Sequence, residues 1–185
     1  MARFVLFGHS FVKRLKNKHG CIYDVELQRG KCSITCIGEG GLTVSRIQKK
    51  PSRYFQQLRK LQPTVLIIDL GTNDLCSVEV TPHQVHASLC EIVRDLRRWN
   101  VCPEAVVFLP VLPRTGGLRS HKRVLDFNML LESSTFQEDR WWVWHHRGIR
   151  HPHLNLDGLN LNEQGILLYE RILQQLLKFF EFRIR

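Results

Sequence analysis

The run TVLIIDLG, residues 64–71, most constrains what this chain can fold into. Its apolar residues are consecutive rather than alternating, so a strand built from them is buried on both faces. A strand of that kind belongs at the centre of a parallel sheet with helices on either side. The run is too short for a buried helix and ends in glycine. Thr81–Pro82 then supply an N-cap and first-turn pair. After them Val85, Leu89, Ile92, Val93 and Leu96 recur at helical spacing. A doubly buried strand followed by an amphipathic helix is the repeating unit of an α/β domain.

The rest of the chain repeats that alternation. RFVLFG (3–8) reads as a first strand, and SFVKRLKNKHG (10–20) as a short helix closed by Gly20. KCSITCIG (31–38) is rich in β-branched residues and runs into a glycine turn. Helical spacing continues through Val44, Ile47, Phe55 and Leu58, divided at Pro51. EAVVFLPVLP (104–113) is the fourth strand, Val124, Phe127, Leu130 and Leu131 mark a helix, and RWWVWHH (140–146) is the fifth strand. A last helix spans about 162–182, with Ile166, Tyr169, Leu173, Leu176 and Phe180 inward. The pattern predicts one domain over 1–185: a three-layer α/β/α sandwich around a five-stranded parallel sheet with right-handed crossovers. Ligands in such folds sit beyond the carboxyl ends of the strands. Those ends are Gly8-His9-Ser10, Gly38 to Gly41, Gly71 to Asp74, Pro110 to Pro113 and the loop 147–161.

Charge and cysteine content narrow the partners. The chain carries 27 Lys and Arg against 17 Asp and Glu, a formal net charge of +10, which favours acidic partners such as nucleic acid or anionic lipid. The basic residues are scattered; Lys13, Arg14, Lys16 and Lys18 form the densest group, ahead of Arg94, Arg97, Arg98 and Lys49–Lys50. A scatter of this kind also suits plain solvated helix faces. None of the six cysteines forms a C-x-x-C pair, and Cys32 and Cys36 have no matching second pair. Free thiols in a reducing compartment are therefore expected, with no zinc. No apolar run reaches the roughly 18 residues of a membrane span. MARFVLFGHS reads as a strand rather than a leader, so a cytoplasmic location is expected.

Three short stretches at the strand ends could carry chemistry. Ser10, between a strand and a helix, sits among free backbone N–H groups that stabilise negative charge. It also suits a simple N-cap. In IGEGGLT, a backbone N–H of Gly40 or Gly41 could donate to an oxyanion, and the same glycines suit a tight turn. In LGTNDL, the Asn73 amide could donate likewise, while Asp74 suits capping or holding the loop.

Taken together, Ser10 after the first strand, the glycine turn of IGEGGLT and the G-x-N-D of LGTNDL resemble the SGNH hydrolase superfamily, also called GDSL esterases. That family's fourth block is a D-x-x-H before the last helix, and DGLNLNEQG (157–165) falls there. FNMLL, around Asn128, also has a look common in the family, and GHSFV is similar to esterase-like domains encoded by some animal retroelements. The resemblance covers essentially the whole chain. It implies a flavodoxin-like fold, no cofactor and no metal, and a small acyl-ester substrate or ligand, acetyl-like if the chain is an enzyme. Ser10 would be the nucleophile. Its own N–H, the N–H of Gly41 and the Asn73 amide would form the oxyanion hole, and Asp157 would orient the base. The base should stand at position 160, which is Asn160. His9 also stands where the family has Asp.

An amide cannot shuttle a proton, and serine is a poor nucleophile without a base. Loss of the base in a well-studied serine hydrolase costs on the order of 10⁶ in turnover. The expectation is thus a fold that binds like an esterase and reacts weakly or not at all. The alternative is a binding or assembly module, nucleic-acid-associated through its basic surface. His153, in the loop over the site, is the first substitute base, with His151 behind it; each also suits an exposed loop. These two histidines lack a third metal ligand of clear spacing. His145 and His146 read as structural. The His9 side chain, adjacent to Ser10, is expected to point elsewhere. Trp141, Trp142 and Trp144 suit strand core by alternation, or a stacking surface.

Overall fold

The structure is a computed structural model that describes residues 2–27, 30–112, 117–158 and 160–184. Among the described residues six strands are formed: β1 (Phe4–Gly8), β2 (Ile22–Leu27), β3 (Gly30–Gly38), β4 (Val65–Asp69), β5 (Ala105–Phe108) and β6 (Trp141–Val143). Six α-helices accompany them: α1 (Ser10–His19), α2 (Val44–Lys49), α3 (Pro51–Leu61), α4 (Pro82–Asp95), α5 (Gly117–Thr135) and α6 (Glu163–Glu181). The sheet order is β2-β3-β1-β4-β5-β6. Five strands are parallel, as the alternation of elements predicts.

The sixth strand corrects the expected count of five. β2 pairs antiparallel with β3, from Ile22 opposite Thr35 to Leu27 opposite Gly30. Its sequence, IYDVEL, gives no apolar run because it is an edge strand. It has one pairing neighbour, Val25 is buried, and Ile22 is 58% exposed. Such strands lack the two-sided burial that makes a central strand conspicuous. Two strands are also shorter than expected. β5 stops at Phe108, before Pro110, whose missing N–H cannot join a ladder. β6 stops at Val143 rather than reaching His146.

Alternation along the strands divides the core into two layers. Val5, Phe7, Leu66, Ile68 and Phe108 face α2, α3, α4 and α5. Phe4, Leu6, Val65, Ile67 and Val107 face α1 and α6. Burial of each of these side chains contributes about 1.5–3 kcal/mol. The tryptophans follow the same alternation. Trp141 packs on Phe108 in the first layer, and Trp142 packs on Phe179 and Phe180 in the second. Trp144 joins Phe179 on that same side, so the group is packing rather than an open stacking surface.

Two glycines set how closely the first helix rides on the sheet. A Cβ at Gly38 would collide with the backbone of Val12 and Lys13, and one at Gly8 would collide with the Asp69 carbonyl. Any larger residue would push α1 off β3 or part β1 from β4, and Ser10 would move with it. Among the described residues, no helix is long and apolar enough to cross a membrane. All six cysteines are free. Burial pushes the Cys32 thiol up to about 11 and the Cys36 thiol up to about 12, which keeps both protonated.

Candidate active site

Strand register sets the site. Gly8 stands opposite Gly38 on one side and Asp69 on the other. The loops leaving β3, β1 and β4 therefore emerge side by side, and they carry Gly41, Ser10 and Asn73. Ser10 is the first residue of α1 and is half-buried. The helix closes by the Lys13 N–H donating to the His9 carbonyl at 3.0 Å. The N–H groups of the first turn are thus directed toward the Ser10 end. Gly41 has φ +69 and is exposed, with no heavy atom within 4 Å of where a Cβ would stand. Its glycine is required by backbone conformation rather than by space.

Asn73 and Asp74 lace these loops together. The Asn73 amide donates to the Leu42 carbonyl at 2.9 Å, which engages one of its two N–H bonds. The Asp74 carboxylate accepts from the Val44 N–H at 3.0 and 3.2 Å, at the start of α2. Burial pushes the Asp74 carboxyl above its ordinary range, opposed by the Val44 and Ser45 backbone donors. Asp74 is a loop anchor. Behind them, Arg123 donates to the carbonyls of Ser77 and Val80. Asn128 grips Val111 by both backbone groups, at 2.8 and 2.9 Å.

Just before α6, the residues on either side of Asp157 are drawn together. Leu154 and Leu161 form an antiparallel bridge, and the Asn155 N–H donates to the Asn160 carbonyl at 2.7 Å. Asn160 holds Asp157, by its backbone N–H to Oδ1 at 2.9 Å and by its side-chain Nδ2 to Oδ2 at 2.7 Å. Arg14 of α1 donates to the Leu161 carbonyl, at 2.6 Å. The His153 Nδ1 accepts the Arg150 N–H at 2.9 Å, inside its own short turn. That turn lies so close on α6 that a Cβ at Gly165 would strike the His153 carbonyl. Among the described residues, no hydrogen bond joins Ser10 to Asn160 or to His153, and no group of three His, Cys, Asp or Glu could hold a metal ion.

His9 does not point away from Ser10, contrary to what its position in sequence suggests. Its ring is fully enclosed, and Nδ1 lies 3.3 Å from the Ser10 Oγ. The N-cap backbone of His9, at φ −90 and ψ −142, turns the ring inward beside the hydroxyl, against the Phe11 ring. On the far side of the ring, Nε2 lies 3.1 Å from Asp69 Oδ1, close enough for charge attraction but off hydrogen-bond alignment. The other carboxylate oxygen, Oδ2, accepts the Tyr169 hydroxyl at 2.7 Å. Tyr169 in turn stacks on His146, ring centroids 5.5 Å apart.

This buried group has a clear electrostatic order. Burial alone would push the Asp69 carboxyl up. The charge and contact of His9, then His146 and the Tyr169 hydroxyl, outweigh burial and hold the carboxyl below its ordinary range. Burial pulls the half-buried His146 down to about 4, partly opposed by Asp69 and the Pro110 carbonyl, so it is neutral at pH 7. Asp69 and Tyr169 look like mere strand and core residues in sequence. The available signal is the single carboxylate at the end of an otherwise apolar doubly buried strand, which cannot be left without a partner.

No family model matches the sequence, and no curated protein does. Solved structures do. An acetyl esterase, solved as a serine-to-alanine mutant with an acetate ion, superposes with a TM-score of 0.74 at 15% identity, covering 100% of both chains. A carbohydrate esterase of family 3 from Talaromyces cellulolyticus gives the same values. A lipase/acylhydrolase from Enterococcus faecalis superposes with a TM-score of 0.66 at 16% identity over 96% of each chain. The chain has the α/β/α fold of the SGNH hydrolases.

Proposed function

We propose that this chain is an SGNH-type serine ester-hydrolase-like domain for small acyl esters, acetyl-like in size, with its chemistry held back at position 160. The observation that carries the reading is the placement of Ser10, Gly41 and Asn73 on the adjacent loops after β1, β3 and β4. Supporting it, chains of this fold include an acetyl esterase and an acylhydrolase. In this reading Ser10 is the nucleophile. Its N–H, the Gly41 N–H and the second Asn73 amide hydrogen receive the oxyanion. Asp157 and Asn160 occupy the place of the orienting acid and the base. Asn160 donates to Asp157, as a base histidine would, but offers no lone pair of comparable basicity to Ser10.

The testing experiment is p-nitrophenyl acetate turnover by the chain itself, by Ser10→Ala and by Asn160→His. A gain of Ser10-dependent turnover in Asn160→His supports an esterase pocket lacking only its base. Failure of that variant to turn over, with the fold intact by circular dichroism, overturns the reading.

A further inference from the structure

We propose that His9 takes the proton of Ser10 and makes this chain competent for acyl transfer to Ser10, but only from esters whose leaving group departs as a stable anion. This rests on the assignment of Ser10 as nucleophile. Three observations carry it. The His9 Nδ1 lies 3.3 Å from Ser10 Oγ, within reach of a proton transfer. The Asp69 carboxylate lies 3.1 Å from the opposite nitrogen, Nε2, and favours the tautomer protonated there. Nδ1 is then the acceptor. Finally, the Tyr169 hydroxyl fixes the other oxygen of Asp69 at 2.7 Å, so the carboxylate is held in place behind the ring. Ser10, His9 and Asp69 stand in the order nucleophile, base and orienting acid, with the base one residue from the nucleophile.

Burial of His9 decides what such a base can and cannot do. The ring is 0% exposed, whereas Ser10 is half-buried. Nδ1 is thus available to the Ser10 oxygen and to nothing further out. In the acylation step the Ser10 Oγ forms a bond to the acyl carbon and its proton passes to Nδ1. The resulting imidazolium is stabilised by Asp69. The bond from acyl carbon to leaving oxygen breaks, and that oxygen leaves with the electron pair. An enclosed imidazolium cannot hand its proton to the leaving oxygen. An aryl ester, whose phenolate is stable, therefore reacts, and an alkyl ester, whose alkoxide needs a proton, does not. The same enclosure keeps His9 from activating water against the acyl group. Acyl-Ser10 therefore accumulates instead of being hydrolysed.

The test uses the full chain with p-nitrophenyl acetate and with ethyl acetate, followed by rapid mixing and by intact-protein mass. The expected result is a burst of about one nitrophenol per chain, an acetyl group retained on Ser10, a slow steady state, and no reaction with ethyl acetate. His9→Gln, checked for folding by circular dichroism, should slow the burst by on the order of 10²–10⁴. Should that variant fail to fold, the two-ester comparison on the unaltered chain still decides. Ready hydrolysis of both esters without retained acetyl overturns the inference, because a base open to solvent is then at work; the esterase reading survives. An unchanged burst in folded His9→Gln overturns it likewise. No burst here, with turnover in Asn160→His, overturns the role of His9 alone. No reaction in either overturns both.

Discussion

Asn160 holds both oxygens of Asp157, one through its backbone N–H at 2.9 Å and one through its side-chain amide at 2.7 Å. In the proposed reading, this pairing sets Asp157 as the acid that would orient a base at position 160. A histidine there can donate one ring N–H to Asp157 and keep the other nitrogen as acceptor. Asn160→His is expected to raise Ser10-dependent turnover of p-nitrophenyl acetate by at least about 10²-fold, the low end of what a general base supplies. Steady-state kinetics of the single variant, and of Asn160→His combined with Ser10→Ala, check it. The gain should vanish in the second.

Tyr169 and Asp69 form a fully buried polar contact: the hydroxyl of a residue 0% exposed donates to the carboxylate of a residue 1% exposed. Removing the donor leaves a buried acceptor with less compensation. Tyr169→Phe is expected to destabilise the fold by about 1–3 kcal/mol. Urea unfolding should show a lower midpoint with an unchanged slope.

The distinction between what the sequence shows and what it hides runs along these contacts. β4 is legible because both its faces are buried, and α4 because Thr81 and Pro82 mark its start; the structure adds Gln84, which closes a capping box with Thr81. β2 is not legible, since an edge strand is specified by its partner β3 rather than by its own run of residues. The loops bearing Ser10, Gly41 and Asn73 could be read because each follows a recognisable strand. Asp69 and Tyr169 meet across 100 positions, and only the docking of α6 on the sheet brings them together. The inward turn of His9 depends on its N-cap dihedrals, which neighbouring residues do not encode in any simple pattern.

Acid should weaken the fold through His146. Its ordinary value is 6.5, and in the folded chain burial, helped by the charges of His9 and His145, pulls it to about 4 against the opposing pull of Asp69 and the Pro110 carbonyl. Between those values the unfolded chain binds a proton that the folded chain refuses, so stability falls as pH falls across the window. The total is ~3 kcal/mol. The depressed carboxyl of Asp69 acts in the same direction at lower pH, where stability is lost as pH falls through its folded value. Urea midpoints at several pH values should show this decline, and His146→Leu should flatten it above pH 4. An equal slope in that variant would assign the acid sensitivity to other groups.

Asn73 ties the β4 loop to the β3 loop through Leu42, and in the proposed reading its second amide hydrogen meets the developing negative charge of the oxyanion. Its two roles separate in different measurements. The loop tie is a half-buried neutral hydrogen bond, and its loss in Asn73→Ala should cost about 0.5–1.5 kcal/mol of stability. The proposed oxyanion contact is of the kind made mainly in the transition state. Its loss should therefore lower kcat by on the order of 10²–10³ while leaving KM nearly unchanged. The comparison is best made in the Asn160→His background, where turnover is high enough to follow. A fall in stability with no fall in kcat would make Asn73 a structural tie alone and leave the oxyanion to the backbone N–H groups of Ser10 and Gly41.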